Sequence, residues 1–275
     1  MRPKVPLLAG AGMATAAVVI MPALHHAGAL PHPSAARVAA AAVRPVVPVV
    51  QPVAPVRHIV VLGDSVAAGE GQSGPDYGAL VAQQLSRPGV DVSSTNLAQD
   101  GLTAVQLADQ VQHDAATREA IRTADVVVIT AGANDAFEDV GDDPGQDCAD
   151  ACVAAVTRRV SSSLDSTLAQ IKALQQRPGA CVLTTSYWNV GLDGQVAHST
   201  EDQASYAWFE RTTLAINDAI RGSSARAGAT MIDLRQSFRG DGSKDATPLL
   251  SPDGDHPDED GQQLIAGQIV AALQR

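Results

Sequence analysis

The chain of 275 residues holds only three cysteines, Cys148, Cys152 and Cys181. That is too few for a disulfide scaffold, and none stands in a C-x-x-C zinc pattern. Aromatic residues number only eight (three Tyr, three Phe, two Trp), so no aromatic platform for a long polysaccharide is evident. Basic charge is scarce where a nucleic acid would need it. Five of the 19 Lys and Arg (Arg2, Lys4, Arg37, Arg44 and Arg57) fall in residues 1–57, which contain no Asp or Glu. Residues 58–275 are left with 14 basic against 30 acidic side chains, a net charge of −16. A body that acidic repels phosphate backbones, which argues against nucleic-acid binding. Neither G-x-G-x-x-G nor G-x-x-x-x-G-K-[ST] directly follows a strand, so nucleotide binding has no support. Hydrophobic residues nevertheless make up 45% of the chain, enough for a sizeable core.

The N-terminal segment carries addressing information instead of a fold. Residues 1–4 are short and basic, residues 5–24 are apolar, and Ala27-Gly28-Ala29 offers a small-x-small cleavage site. That order predicts a secretory signal peptide over residues 1–29. An uncleaved membrane anchor is the alternative, because the apolar run approaches spanning length, although Pro6 and Pro22 interrupt it. Residues 30–57 are rich in Ala, Val and Pro, with PVVPVVQPVAPV at 45–56. Recurrent proline removes ladder donors and favours polyproline II, so this segment reads as a semi-rigid linker. Residues 58–275 then form one folded domain, expected to be secreted or extracytoplasmic, tethered to a membrane if the anchor is retained, and monomeric.

Within that domain strands and helices alternate. Residues 58–62 (HIVVL), 125–130 (DVVVIT), 180–185 (ACVLTT) and 230–234 (TMIDL) are short apolar runs suited to buried parallel strands. Residues 90–96 alternate apolar and polar and suit a strand nearer an edge. Val153, Val156, Val160, Leu164, Leu168, Ile171 and Leu174 step by three or four along one helical face, stopped by Pro178-Gly179. Residues 201–221 and 261–273 are helical by the same spacing. The pattern predicts an α/β fold, a three-layer doubly wound parallel sheet. In such sheets ligands bind beyond the carboxyl ends of the strands, which directs attention to residues 63–72, 97–103, 131–149, 186–200 and 235–257.

Four of those segments carry unusual polar residues. Gly63-Asp64-Ser65 follows the first strand, and a serine on a strand-to-helix turn suits a nucleophile, although Ser also commonly caps helices. Asp253-Gly254-Asp255-His256 precedes the last helix. An imidazole three residues after an aspartate can donate one ring N–H to that carboxylate and keep the other nitrogen free for a serine proton. His58, His113 and His198, the other domain histidines, read as structural or solvated. Gly132-Ala133-Asn134-Asp135 follows the third strand, where an asparagine amide could face developing negative charge. Gly101, after the second strand, could bring a backbone donor close because it lacks a side chain.

Taken together, these turns resemble the blocks of the SGNH (GDSL) hydrolase family of esterases and lipases, over nearly all of residues 58–275. Gly63-Asp64-Ser65 with Gly69 is similar to the first block, Gly101 to the second, Gly132-Ala133-Asn134-Asp135 to the third, and residues 253–256 to the fifth. The resemblance implies a flavodoxin-like sheet in the order 2-1-3-4-5. It implies Ser65 as nucleophile, His256 as base, Asp253 as its orienting acid, and an oxyanion hole from Ser65 N–H, Gly101 N–H and the Asn134 amide. Asp64 and Asp135 would fix turns. The expected reaction is hydrolysis of short- to medium-chain carboxylic esters through an acyl-serine, with no cofactor and no metal. Two alternatives stand beside it: a cell-wall carbohydrate O-acyl esterase or acyltransferase on the same fold, and a non-catalytic ligand-binding module.

Tyr187 and Trp188 follow the fourth strand and could wall an acyl pocket, or simply pack their loop. Export makes a disulfide between Cys148 and Cys152 plausible, provided the pair lies outside a helix or at its fraying start. Cys181 reads as buried and unpaired.

Overall fold

The computed structural model describes residues 55–138 and 148–275. The expected signal peptide, linker residues 30–54 and part of the acidic loop at 141–151 lie outside the described residues. Among those described, no helix is long and apolar enough to cross a membrane.

Five parallel strands, β1 (His58–Gly63), β2 (Ser93–Asn96), β3 (Val126–Thr130), β4 (Cys181–Thr185) and β5 (Thr230–Ile232), form one sheet in the order β2-β1-β3-β4-β5. The central pair is the most apolar, and Ile59, Val60, Val61, Leu62, Val126, Val127 and Val128 have no exposed surface. β2 is an edge strand, as its alternating sequence suggests. It starts at Ser93 because Val90 is taken up in an antiparallel bridge to Arg87. β5 stops at Ile232, since Asp233 turns to cap the next helix by accepting from Gln236 N–H.

Nine helices flank the sheet among the described residues: α1 (Ser65–Ala68), α2 (Tyr77–Leu85), α3 (Ala104–His113), α4 (Ala115–Thr123), α5 (Asp150–Leu174), α6 (Gly194–Thr200), α7 (Gln203–Ala227), α8 (Leu234–Arg239) and α9 (Glu259–Leu273). Helix α2 packs on α9, while α3 packs on α5 and α5 on α7, giving the three-layer doubly wound arrangement. The seven-residue apolar stripe of α5 is buried throughout, and each such Val or Leu contributes roughly 1.5–3 kcal/mol over an exposed position. Helix α7 runs six residues past the apolar pattern. Its extra turn buries Ser223 and Ser224, and Ser224 Oγ bonds Ile220 O at 2.6 Å and Thr184 Oγ1 at 2.7 Å. Hydroxyls satisfied inside the fold escape a hydrophobicity pattern.

Cys148 and Cys152 form a disulfide at the first turn of α5. Cys181 is free, but half-buried where burial was expected. It opens β4 at the amino edge of the sheet, where strand ends leave the core. Because the strands are parallel, their carboxyl ends share the opposite edge, where residues 63–72, 97–103, 131–138 and 186–193 gather.

Candidate active site

The turn after β1 is rigid. Asp64 N–H donates to Thr130 O on β3 at 2.9 Å, and the Asp64 carboxylate accepts Val66 N–H at 3.2 Å and the Tyr187 hydroxyl. Complete burial pushes the Asp64 carboxyl up to about 7, against the pull of those bonds. Ser65 therefore starts α1 on a base fixed to β3 and to the loop after β4. Among the described residues, neither its hydroxyl nor its N–H has a hydrogen-bond partner.

His256 lies on the loop between α8 and α9. Its Nδ1 stands 2.9 Å from Asp253 Oδ2. Asp253 Oδ1 accepts the N–H groups of Asp255 (2.8 Å) and His256 (3.0 Å) and the Ser251 hydroxyl (2.7 Å). Partial burial would raise the Asp253 carboxyl, but these four donors outweigh it and bring it down to about 2. It is thus ionised at neutral pH and holds the ring with Nδ1 as donor. The His256 imidazole is itself raised: burial lowers it, and the Asp253 bond with the Asp255 and Asp253 charges more than compensates. Nε2 has no hydrogen-bond partner among the described residues; the nearest carboxylate, Asp255 Oδ2, is 4.0 Å away.

The turns after β2 and β3 are knitted together. Asn134 donates one amide hydrogen to Leu102 O at 3.1 Å, leaving the second free. Its neighbour Asp135 accepts Ala104 N–H at 2.7 Å and so holds the start of α3; burial pushes its carboxyl up to about 6. Asp64 and Asp135 both fix turns.

Ser65, Asn134, Tyr187 and Trp188 line one cavity of about 320 Å³, together with Phe137 and Asp255. Asp253 and His256 lie outside its lining, and the imidazole meets its edge through Asp255. Gly101 is not part of this wall. It faces an adjoining, more open hollow of about 940 Å³ lined by Gln99, Asp100, Gln106 and Gln110. A Cβ on Gly101 would touch nothing within 4 Å, so glycine is required by its φ of 70° and not by close approach. Its N–H has no partner among the described residues.

Tyr187 and Trp188 both wall the cavity and pack their loop. Tyr187 anchors Asp64, and Trp188 stacks on Phe238 at 4.2 Å. Sequence reasoning missed Phe137, Phe209 and Val190 in the wall. Only their place in rim segments or on α7 could have flagged them. Asp255, the residue next to His256, also reaches this cavity. It does not bond the ring at Nδ1, but the turn that gives Asp253 Oδ1 three donors aims the next carboxylate into the cavity.

The other histidines among the described residues are structural or solvated. His58 bonds Thr95 at 2.9 Å, His113 lies beside Asp109 on the exposed side of α3, and His198 rests against Tyr206.

A sequence profile described as the GDSL-like lipase/acylhydrolase family matches residues 61–264. The chain belongs to that family. It is accordingly a carboxylic ester hydrolase, which sets aside the non-catalytic binding module. Solved structures agree in fold. A lipase from a goat rumen metagenome superposes with a TM-score of 0.62 at 18% identity, over 78% of this chain and 97% of its own. An extracellular lipase from Streptomyces rimosus gives 0.57 at 20%, over 79% and 98%. An acetyl xylan esterase gives 0.55 at 18%, over 78% and 99%. No match was found among curated proteins.

Proposed function

We propose that this GDSL-like hydrolase is an exported serine esterase acting on short- to medium-chain esters. The observation that carries the reading is a Ser65 hydroxyl without a partner in a cavity that Asp255 also lines, and beside Asp255 a His256 ring held by Asp253 with Nε2 open. In the proposed cycle Nε2 takes the Ser65 proton as Oγ attacks the ester carbonyl. Ser65 N–H, Gly101 N–H and the second Asn134 amide hydrogen hold the tetrahedral oxyanion. The intermediate collapses, the alkoxide leaves with the proton from His256, and an acyl-serine remains. Water then attacks, giving its proton to His256, which returns it to Ser65 as the carboxylic acid departs.

A cavity of about 320 Å³ with Val190, Leu192 and Phe209 in its wall suits a short or medium acyl chain. The N-terminal pattern of residues 1–29 and the Cys148–Cys152 disulfide support export. The test is hydrolysis of nitrophenyl esters of graded chain length by the wild type and Ser65→Ala, with organophosphonate labelling followed by mass. Loss of turnover by several orders of magnitude and loss of the label in the variant are expected. A Ser65→Ala protein that still turns over and still labels would end the proposal.

The polar hollow beside Gly101 favours a second reading, in which a sugar hydroxyl replaces water as acyl acceptor or the ester sits on a carbohydrate. Product analysis with sugar acceptors present separates the two.

A further inference from the structure

Asp255 is a carboxylate of the cavity wall that the proposed cycle leaves unused. Its side chain makes no hydrogen bond among the described residues, yet it lines the cavity that holds Ser65 and lies 4.0 Å from His256 Nε2. It contrasts with its neighbours. Asp253 is saturated by donors and Asp64 is tied to Tyr187 and Val66. A half-buried carboxylate without a donor is an open recognition group, and burial already raises its carboxyl above the usual range.

Its placement also says which part of an ester it meets. In acyl transfer the histidine returns its proton to the departing oxygen, so the alcohol portion lies on the imidazole side and the acyl chain on the other. Asp255 stands beside that nitrogen. Asp100, on the rim of the adjoining hollow, is close enough to act electrostatically on both His256 and Asp255. Among the described residues no Lys or Arg lines either hollow.

We propose that Asp255 is a specificity-determining residue that selects esters whose alcohol portion bears an ammonium group, that is, esters of amino alcohols. The proposal rests on the acyl-serine reading above, because that reading fixes which side the alcohol occupies. Negative potential on the leaving-group side attracts the cation before reaction. One ion pair of this kind, partly solvated, is worth a few-fold in affinity.

The isosteric pair of choline acetate and 3,3-dimethylbutyl acetate isolates the charge, since a tert-butyl group replaces trimethylammonium. The wild-type enzyme should give a kcat/KM ratio of roughly three to ten in favour of choline acetate, declining as salt is raised. In Asp255→Asn the ratio should fall to about one. Because the readout is a ratio, a change in overall rate cancels. Choline should also inhibit nitrophenyl acetate hydrolysis more strongly than 3,3-dimethylbutanol, and lose that advantage in the variant. A wild-type ratio at or below one, or an equal ratio and equal inhibition in both proteins, overturns the proposal. Undiminished hydrolysis of the neutral ester by Ser65→Ala would instead overturn the acyl-serine reading beneath it.

Discussion

Two aspartates two residues apart hold different ends of one imidazole's environment, and their exchange for asparagine separates their work. Asp253→Asn removes the charge that orients Nδ1–H and stabilises the imidazolium, so kcat should fall about 10³–10⁴-fold. Asp255→Asn removes a neighbour of Nε2 that makes no hydrogen bond, and the loss on a neutral ester should be far smaller. It should also move the acidic limb of the kcat/KM profile to lower pH, because the Asp255 charge helps hold the His256 imidazole above its ordinary value. Rates across pH for the two variants check both statements, and a larger loss in Asp255→Asn would reverse the assignment. Asn134→Ala should cost about 10²–10³-fold in kcat, since one amide hydrogen is spent on Leu102 O and only the other is free. At this scale Ser65, Asn134, Asp253 and His256 were legible as candidates, because together they fall in turns at the carboxyl ends of strands and before the last helix in the order of the family's blocks. The aim of Asp255 was not, since side-chain direction within a turn depends on which carboxylate the backbone donors capture.

The elements bring the loops into register through a few close approaches. Gly71, at φ +86°, runs beneath the histidine loop, and a Cβ there would fall 2.5 Å from His256 Cβ and 2.7 Å from Ser251 Oγ. Gly71→Ala should therefore displace the imidazole and lower kcat by an order of magnitude or more. Gly89 is the control: its φ is +81°, but nothing lies within 4 Å of its Cβ position. Gly89→Ala should carry only the backbone cost of about 1–2 kcal/mol and keep its kcat. Equal kinetic losses in the two would deny the contact any role. The loop after β4 supports the same histidine segment, with Asp193 N–H donating to Gly254 O at 2.7 Å. Asp193 lies 3.5 Å from Arg239, which Glu210 joins to Arg235. Strand and helix positions were readable because apolar periodicity reports which face is buried. These cross-loop ties were not, because Arg239 and Glu210 look like surface charges until α7 and α8 pack against each other.

The whole molecule carries its buried acids as a dependence of stability on pH. Burial raises Asp64 to about 7 and Asp135 to about 6. A carboxyl raised on folding contributes stability that is fully present below its unfolded value, near 3.8, and lost as pH rises through the folded value. The raised His256 acts in the same direction, its contribution vanishing as pH rises through its folded value. Asp253, brought down to about 2, acts oppositely, but its contribution is lost only as pH falls from about 4 to 2. Between pH 4 and 8 the raised groups dominate, so Tm should decline toward alkaline pH. The net charge of −16 on residues 58–275 adds self-repulsion with the same sign. Asp64→Asn distinguishes the two causes. An asparagine carbonyl still accepts from Tyr187 or Val66 but does not ionise, whereas the surface charge is untouched. Its Tm should fall less steeply than that of the wild type between pH 5 and 8, at constant ionic strength. Parallel Tm profiles would assign the decline to overall repulsion and leave the buried Asp64 carboxyl without a part in it.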